Sequence, residues 1–201
     1  MKKAVIAVLV LALLIPTTMS MYLVYATKPT EISGQWQSFQ GVPSGGTPVT
    51  VSIEKAGANA FVTLHNYATY IEGPIVGTPG SIEQTIKMTF HYRDPQLVDS
   101  LPTGTGGNVN SMLTALRTWP ETKWNWNVDR KFTGSVLGEE GSFTMKLVAT
   151  GYGRIGNPVD LEGQWVITGG TEGLANLHGQ GTWHSLGVQL NAYEGQVHFD
   201  P

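Results

Sequence analysis

Cysteine is absent from this chain of 201 residues. Its absence excludes disulfide bonds, thiolate nucleophiles, lipid attachment through cysteine and zinc sites with cysteine ligands. The folded domain must therefore be stabilised by its apolar core and by backbone hydrogen bonds, which is feasible at this length.

Charged residues are also scarce, at 13% of the chain, against roughly 25% in typical soluble domains. The formal net charge is −3, and the basic residues are scattered, with Arg130 and Lys131 as their densest group. Proteins that bind nucleic acid carry a basic patch or stripe. The sequence therefore predicts no nucleic-acid partner.

Motifs of common catalytic and metal sites are missing as well. No serine lies in a G-x-S-x-G motif, and no phosphate-binding G-x-x-x-x-G-K-[ST] loop occurs. His178 and His184 lie six positions apart on a predicted strand, about 20 Å, which is too far to share an ion. We predict no metal and no cofactor, although a three-histidine site from separate strands stays open, as does a carboxylate pair of Glu162 and Glu172.

The N-terminus has the pattern of a secretory signal. Lys2 and Lys3 precede an apolar run over residues 4–15, and Val24 and Ala26 would permit cleavage before Thr27. The alternative is an uncleaved anchor, because a bilayer needs about 20 mostly apolar residues. Either way the lysines stay inside. We predict a signal peptide or anchor over 1–26, the sole membrane contact, and a domain over 27–201 that is secreted or anchored outside the cytoplasm.

Apolar and polar residues alternate from residue 32 to the end of the chain. In residues 82–93 and 123–133 alternate side chains form one mainly apolar face, as a β-strand with one buried side requires. These faces consist of Ile82, Gln84, Ile86, Met88, Phe90 and Tyr92, and of Trp124, Trp126, Val128, Arg130 and Phe132. With 25 glycines and 11 prolines to form turns, the pattern gives roughly nine candidate strands and predicts an all-β fold, a barrel or a sandwich, of which we take a single antiparallel β-barrel.

Residues 94–122 interrupt this alternation. Residues 94–108 contain two prolines and three glycines and are predicted as a loop. Met112, Leu113 and Leu116 then follow at helical spacing and predict a short helix within 109–118. Long insertions of this kind are often functional. The insertion is therefore either a lid over one end of the barrel or a plain surface excursion.

The region from 132 to 199 contains a glycine-rich segment, Gly169–Thr182, with the sequence GGTEGLANLHGQGT, followed by Tyr193-Glu194-Gly195-Gln196-Val197. This region, roughly a third of the chain, resembles the allene-oxide-cyclase-like barrels. It most resembles the DUF3224-type proteins of unknown function, with dirigent proteins more distant. Glu172 and Asn176 stand where that family usually has glycine. The resemblance implies an eight-stranded barrel with a hairpin in this segment, and it implies architecture rather than activity.

Arg130 is the most unusual residue on an apolar face, because a lone buried charge is costly. One interpretation is that it pairs with a carboxylate or binds an anionic or aromatic ligand inside the barrel. The other, which we favour, is that the strand bulges near Asp129 and lets Arg130 reach solvent.

Further polar residues lie on apolar faces near Arg130. Together with neighbouring aromatic residues they predict one ligand-binding pocket. Its members are Arg130, Trp124, Trp126, Gln84, Asn66, Tyr92 and Tyr70. The alternative is a closed core in which these polar groups satisfy one another.

Three functions fit these features. The first is an exported barrel that binds a small apolar or aromatic ligand in its interior. The second is a structural or self-assembling cell-surface protein, since unpaired sheet edges permit strand addition and leave homo-oligomer formation open. The third is a cyclase or isomerase type of enzyme that uses a barrel pocket.

Overall fold

The computed structural model describes residues 28–39, 49–77, 80–92, 94–100, 103–106, 118–154, 161–187 and 189–201. These residues form eleven described strands in one sheet and one short helix. In chain order the elements are β1 (Thr30–Phe39), β2 (Thr50–Ala56), β3 (Asn59–Glu72), β4 (Ile75–Val76), β5 (Ile82–His91), α1 (Pro95–Ser100), β6 (Gly104–Gly106), β7 (Thr122–Val136), β8 (Glu139–Gly153), β9 (Glu162–Glu172), β10 (Leu177–Ser185) and β11 (Leu190–Phe199).

The sheet closes on itself. Its strands follow the order β1, β11, β10, β9, β8, β7, β5, β3, and β3 then pairs again with β1, with Trp36 opposite Tyr70. All of these pairings are antiparallel. β2 and β6 continue the sheet beyond the first half of β3. The prediction of an all-β fold with one antiparallel sheet is confirmed, and eight strands form the ring.

The predicted alternation also describes the buried face of the ring. On β5, Ile86 is buried and Lys87 exposed, and on β7, Val128 is buried and Asp129 exposed. Ile86 and Val128 are directly opposite each other in the ladder, so the two apolar faces predicted from separate segments form one surface. The core therefore fills the inside of the ring.

The glycine-rich segment forms β9, a turn over 173–176 and β10. Gly181 and Gly195 pair across β10 and β11, and the indole of Trp165 lies against both. A Cβ atom on either glycine would lie 2.5 to 2.6 Å from the Trp165 ring. Trp165 Nε1 donates hydrogen bonds to the carbonyl oxygens of Thr182, at 3.1 Å, and Glu194, at 3.2 Å. These glycines therefore make room for a buried indole.

The insertion differs in part from the prediction. Residues 94–108, predicted as a loop, contain α1 and the short strand β6. Pro95 occupies the first helical position, where a missing N–H costs nothing, and Asp94 Oδ1 accepts a hydrogen bond from Gln96 N at 2.9 Å. Val98 on this helix is fully buried, so tertiary packing stabilises a helix too short to form alone. The predicted helix within 109–118 falls almost entirely outside the described residues.

The two ends of the ring differ in their connections. At one end β7 and β8 are joined by residues 137–138, and β9 and β10 by 173–176. At the other end, residues 92–121 separate β5 from β7 in the sequence, and residues 154–161 separate β8 from β9. We call the second end the loop end. Trp119, which belongs to its longest connection, is buried there.

The predicted signal or anchor segment, residues 1–26, lies outside the described residues. Within the described part of the chain, no helix has both the length and the apolar character needed to span a bilayer.

Candidate functional site

Arg130 is buried inside the ring, with 4% of its surface exposed. The pairing of β5 with β7 runs without a shift through Gln84 opposite Arg130, and the pairing of β7 with β8 is equally regular. The favoured prediction of a bulge near Asp129 is therefore wrong. Both neighbouring strands hold β7 in register, so Arg130 points inward.

Neutral groups rather than a carboxylate surround this cation. Arg130 Nε and Nη2 both donate to Gln84 Oε1, at 3.0 and 2.8 Å, and Nη1 donates to Tyr70 Oη at 3.2 Å. The central carbon of the guanidinium lies 4.6 Å from the centroid of the Trp36 ring, a cation–π distance. Two neutral oxygen atoms and an aromatic face thus surround the charge, in place of the carboxylate that the alternative interpretation included.

The network continues towards the seam where β1 meets β3. Gln84 Nε2 donates to Asn66 Oδ1 at 3.0 Å, and Asn66 Nδ2 donates to the Phe39 carbonyl at 3.2 Å. Tyr70 Oη donates in turn to Met145 Sδ at 3.4 Å. Every side chain of this hydrogen-bond network therefore has a partner within the protein.

The space beside Arg130 is small. The cavity lined by Trp36, Tyr70 and Arg130 has a volume of about 10 Å³. A single water molecule needs at least about 10–15 Å³, so this cavity holds one water at most. Four of the seven predicted ligand-binding residues, Arg130, Gln84, Asn66 and Tyr70, thus form a polar network within a filled core.

The other three predicted residues, Trp124, Trp126 and Tyr92, lie together at the loop end in a group of aromatic rings. The Phe90 and Trp124 rings stack at 5.3 Å with an interplanar angle of 10°. We call this group the loop-end aromatic cluster; it consists of Phe90, Tyr92, Trp119, Trp124, Trp126 and Trp183. Trp126 is its partly exposed member, whereas the others are buried.

The predicted pocket is therefore divided into two groups that meet through neighbouring rings. Trp183 lies 5.1 Å from Trp126, and its other neighbour, Trp36, lies 5.4 Å away, measured between ring centroids. Trp36 in turn covers Arg130. The sequence prediction omitted Trp36, Trp119 and Trp183, although each has the inward or buried position of a site residue. Trp183 lies on the same face of β10 as Leu177, which is the signal that would have identified it.

Five buried donor atoms of the cluster have no hydrogen-bond partner among the described residues. They are Tyr92 Oη and Nε1 of Trp119, Trp124, Trp126 and Trp183. An unpaired buried donor costs about 1–3 kcal/mol, and folded proteins contain few of them. Desolvation by burial raises the pKa of Tyr92 to about 12, so its hydroxyl keeps the proton at neutral pH. The loop end thus combines aromatic surface with unused donors.

Other candidate groups are arranged differently from the predicted pairs. Glu162 and Glu172 are exposed at opposite ends of β9, so they do not form a carboxylate pair. His178 lies opposite His198 across β10 and β11, and both approach the Asp200 carboxylate, at 3.1 and 3.5 Å. The register of the last two strands, which neither segment reveals alone, creates this pair. No group of three or more histidine or acidic residues in the described ranges is arranged to hold a metal ion.

The chain was compared with known protein families, curated proteins and solved structures. No protein-family model matches the chain, and no curated protein matches it. A solved structure of a protein with unknown function from the DUF3224 family, from Shewanella oneidensis MR-1, has 14% sequence identity and a TM-score of 0.45. The match covers 87% of this chain and 99% of that one. The neighbour belongs to the family that the glycine-rich segment resembles, and a similarity of this degree carries no statement about activity.

Proposed function

We propose that this protein is an exported β-barrel that binds a small apolar or aromatic molecule at the loop-end aromatic cluster. The observation that carries the proposal is the concentration of unpaired donors in that cluster: Tyr92 Oη and four indole nitrogens are buried together without partners among the described residues. Because each such atom is costly in the free protein, a bound molecule that accepts their hydrogen bonds gains affinity from them.

The position of the cluster supports this choice. Ligand sites favour the mouths of β-barrels, and loops at one end of a rigid scaffold commonly carry function. The cluster lies at the loop end, and Trp126 connects it to the surface. The middle of the ring offers no comparable opportunity, since Arg130 uses its donors on Gln84 and Tyr70.

The two other functions have less support. Self-assembly by strand addition needs an open edge, and in the described part of the sheet eight strands close into a ring while the edge strand β6 has only three residues. A cyclase or isomerase needs an ionisable group in an enclosed pocket. Glu162 and Glu172 face solvent, and Arg130 is occupied by internal partners.

Binding is tested with N-phenyl-1-naphthylamine, an uncharged probe whose fluorescence rises in apolar surroundings, added to the exported form of the protein. We expect saturable binding at one site per chain. Trp126→Ala should weaken it by about tenfold or more, or about 1.4 kcal/mol. Tyr152→Ala, which removes an aromatic ring that is 59% exposed on the solvent face of β8, should leave it unchanged. Absence of saturable binding, or equal loss in both variants, would refute the proposal.

Export is tested by fractionating cells that produce the full chain and measuring the mass of the exported protein. A mass equal to that of residues 27–201 would identify a cleaved signal peptide, and the mass of the full chain in the membrane fraction would identify an anchor. A full-length protein confined to the cytoplasm would contradict export.

A further inference from the structure

We propose that the molecule bound at the loop-end aromatic cluster is an aromatic carbonyl compound, a ketone, quinone or carboxylate, and that its oxygen atoms accept hydrogen bonds from the indole groups. This inference rests on the proposed function and adds the chemistry of the ligand. It follows from the kind of polar atom that the cluster presents, from the flat shape of its rings and from a comparison with another buried tryptophan, Trp165.

The polar atoms of the cluster are donors. An indole N–H donates one hydrogen bond and accepts none, so Trp119, Trp124, Trp126 and Trp183 can bind only an acceptor. Tyr92 Oη adds a hydroxyl whose proton also lacks an acceptor among the described residues. A ligand whose polar atoms are mainly donors would leave these groups unpaired, whereas a carbonyl oxygen with two lone pairs can serve two of them.

Elsewhere in this fold a buried indole N–H does have hydrogen-bond acceptors within the protein. Trp165, on the neighbouring strand β9, is as buried as Trp124, and its Nε1 lies within hydrogen-bond distance of two backbone carbonyl oxygens. Its partners are available because Gly181 and Gly195 let the ring lie flat on the strands. Trp183 Nε1 also lies against a glycine, Gly163, yet neither Trp183 nor the other three indoles at the loop end has a hydrogen-bond acceptor among the described residues. The difference is local to the cluster and does not follow from burial.

The rings define the rest of the ligand. Phe90 and Trp124 are nearly parallel, and Trp126 and Trp119 meet them edge-on, at 5.9 Å from Trp124 and from Phe90 respectively. Aromatic rings prefer these offset and edge-to-face contacts. A flat ligand body can therefore join the cluster at its partly exposed member, Trp126, without changing the type of contact.

A second donor lies near this end. Arg154 directly follows β8, and its Nε forms an ion pair with Glu121 Oε1 at 3.6 Å, a distance too long for a hydrogen bond. The Arg154 guanidinium lies at the same end of the ring and would attract a carboxylate ligand. A neutral ketone would gain no such attraction. The experiment therefore includes both kinds of carbonyl.

The test compares two probes of the same shape, 2-acetylnaphthalene and 2-isopropenylnaphthalene, in which a C=CH₂ group replaces the C=O group. Titration calorimetry of the exported protein should give at least about tenfold tighter binding of the ketone, because only its oxygen accepts hydrogen bonds. 2-Naphthoate is the third arm and shows whether the charged carbonyl binds tighter than the neutral one. Equal affinity for ketone and hydrocarbon would overturn the acceptor inference and leave the proposed function standing, whereas failure of all three probes would overturn both.

Nitrogen–proton correlation spectra of the indole groups give a second readout. The ketone should move indole proton signals of the cluster downfield, and the hydrocarbon should not. The signal of Trp165 is the internal control and should stay in place, because its N–H already has carbonyl partners. Trp124→Phe keeps an aromatic ring beside Phe90 and removes one donor. It should therefore weaken binding of the ketone and leave binding of the hydrocarbon unchanged. Indole signals that exchange with bound water and respond to no probe would mean that water alone serves these donors, which would overturn the inference.

Discussion

Gln84 and Arg130 face each other across β5 and β7, and a single oxygen, Gln84 Oε1, accepts hydrogen bonds from two nitrogens of the guanidinium. Tyr70 and Trp36 complete the surroundings of the charge. Since Trp36 lies on β1 and Tyr70 on β3, the network joins four strands at the seam where the ring closes. The contacts of the buried cation thus connect the strands on both sides of the seam.

This arrangement predicts that Gln84→Met is strongly destabilising. The substitution leaves Arg130 without its principal acceptor in a dry interior, and we expect the free energy of unfolding to fall by about 3 kcal/mol. The double variant Gln84→Met, Arg130→Met removes the stranded charge as well and should recover most of the loss. Urea denaturation followed by circular dichroism measures both.

The control for this cycle is Lys131→Met on the exposed face of the same strand, which should change stability by less than about 0.5 kcal/mol. If the double variant were as unstable as Gln84→Met alone, the unpaired charge of Arg130 would not be the cause of the lost stability.

The alternation of side chains predicts which residues of β5 and β7 are inside, and the structure agrees for Ile86 as for Val128. It also places Arg130 on the inner face. What it does not contain is the register between segments. Gln84 becomes the partner of Arg130 only because the two strands pair at that position, and Trp36 comes from a strand far earlier in the chain. Local pattern therefore predicts faces, whereas the compensation of the charge is a tertiary property.

Local sequence pattern is likewise insufficient to predict the loop-end aromatic cluster. Trp124 and Trp126 are recognisable from alternation, but Trp119 lies in an insertion without periodicity and Trp183 among small and polar residues of β10. Their meeting depends on ring closure, which brings β10 within reach of β7 across the interior. The absence of internal partners for their N–H groups is likewise visible only in three dimensions.

The glycines beneath Trp165 predict a position-specific sensitivity to alanine. Gly181→Ala places a Cβ 2.0 Å from the Glu194 carbonyl oxygen and 2.6 Å from the indole, so backbone and ring must both move. We expect a loss of about 1–3 kcal/mol, as for other overpacked cores. Gly169→Ala is the matched control, because its nearest neighbour is a hydroxyl at 3.7 Å. Thermal and urea denaturation compare the two, and equal effects would contradict the packing role.

Two buried tryptophans on adjacent strands should respond differently to replacement by phenylalanine. Trp165→Phe loses ring volume and an N–H that serves two carbonyls, and should cost about 2 kcal/mol or more. Trp183→Phe loses similar volume but also removes an unpaired buried donor, so its cost should be smaller by about 1 kcal/mol or more. Free energies of unfolding decide the matter, and equal costs would mean that the Trp183 N–H has a partner in solution.

Buried tyrosines predict a loss of stability at alkaline pH. Desolvation raises the pKa of Tyr92 to about 12, and it also raises the pKa of Tyr193, whose hydroxyl donates to the Glu72 carbonyl at 3.2 Å. In the unfolded chain tyrosine loses its proton near pH 10, so above about pH 10 the folded state holds more protons than the unfolded state. Stability is then fully present below about pH 10 and falls as the pH rises towards 12, because the slope follows the difference in bound protons.

Tyr92→Phe should make this fall shallower, and so should Tyr193→Phe, since each removes one group that binds its proton more tightly in the folded state. Tyr152→Phe is the control for the loss of a hydroxyl group, because that side chain is exposed in the folded protein. Urea unfolding at a series of alkaline pH values, with tyrosinate absorbance as the probe of ionisation, measures the slopes. The same slope in the wild type and in Tyr92→Phe would mean that the Tyr92 hydroxyl reaches water in the folded protein, and the loop-end aromatic cluster would then be more open than its packing indicates.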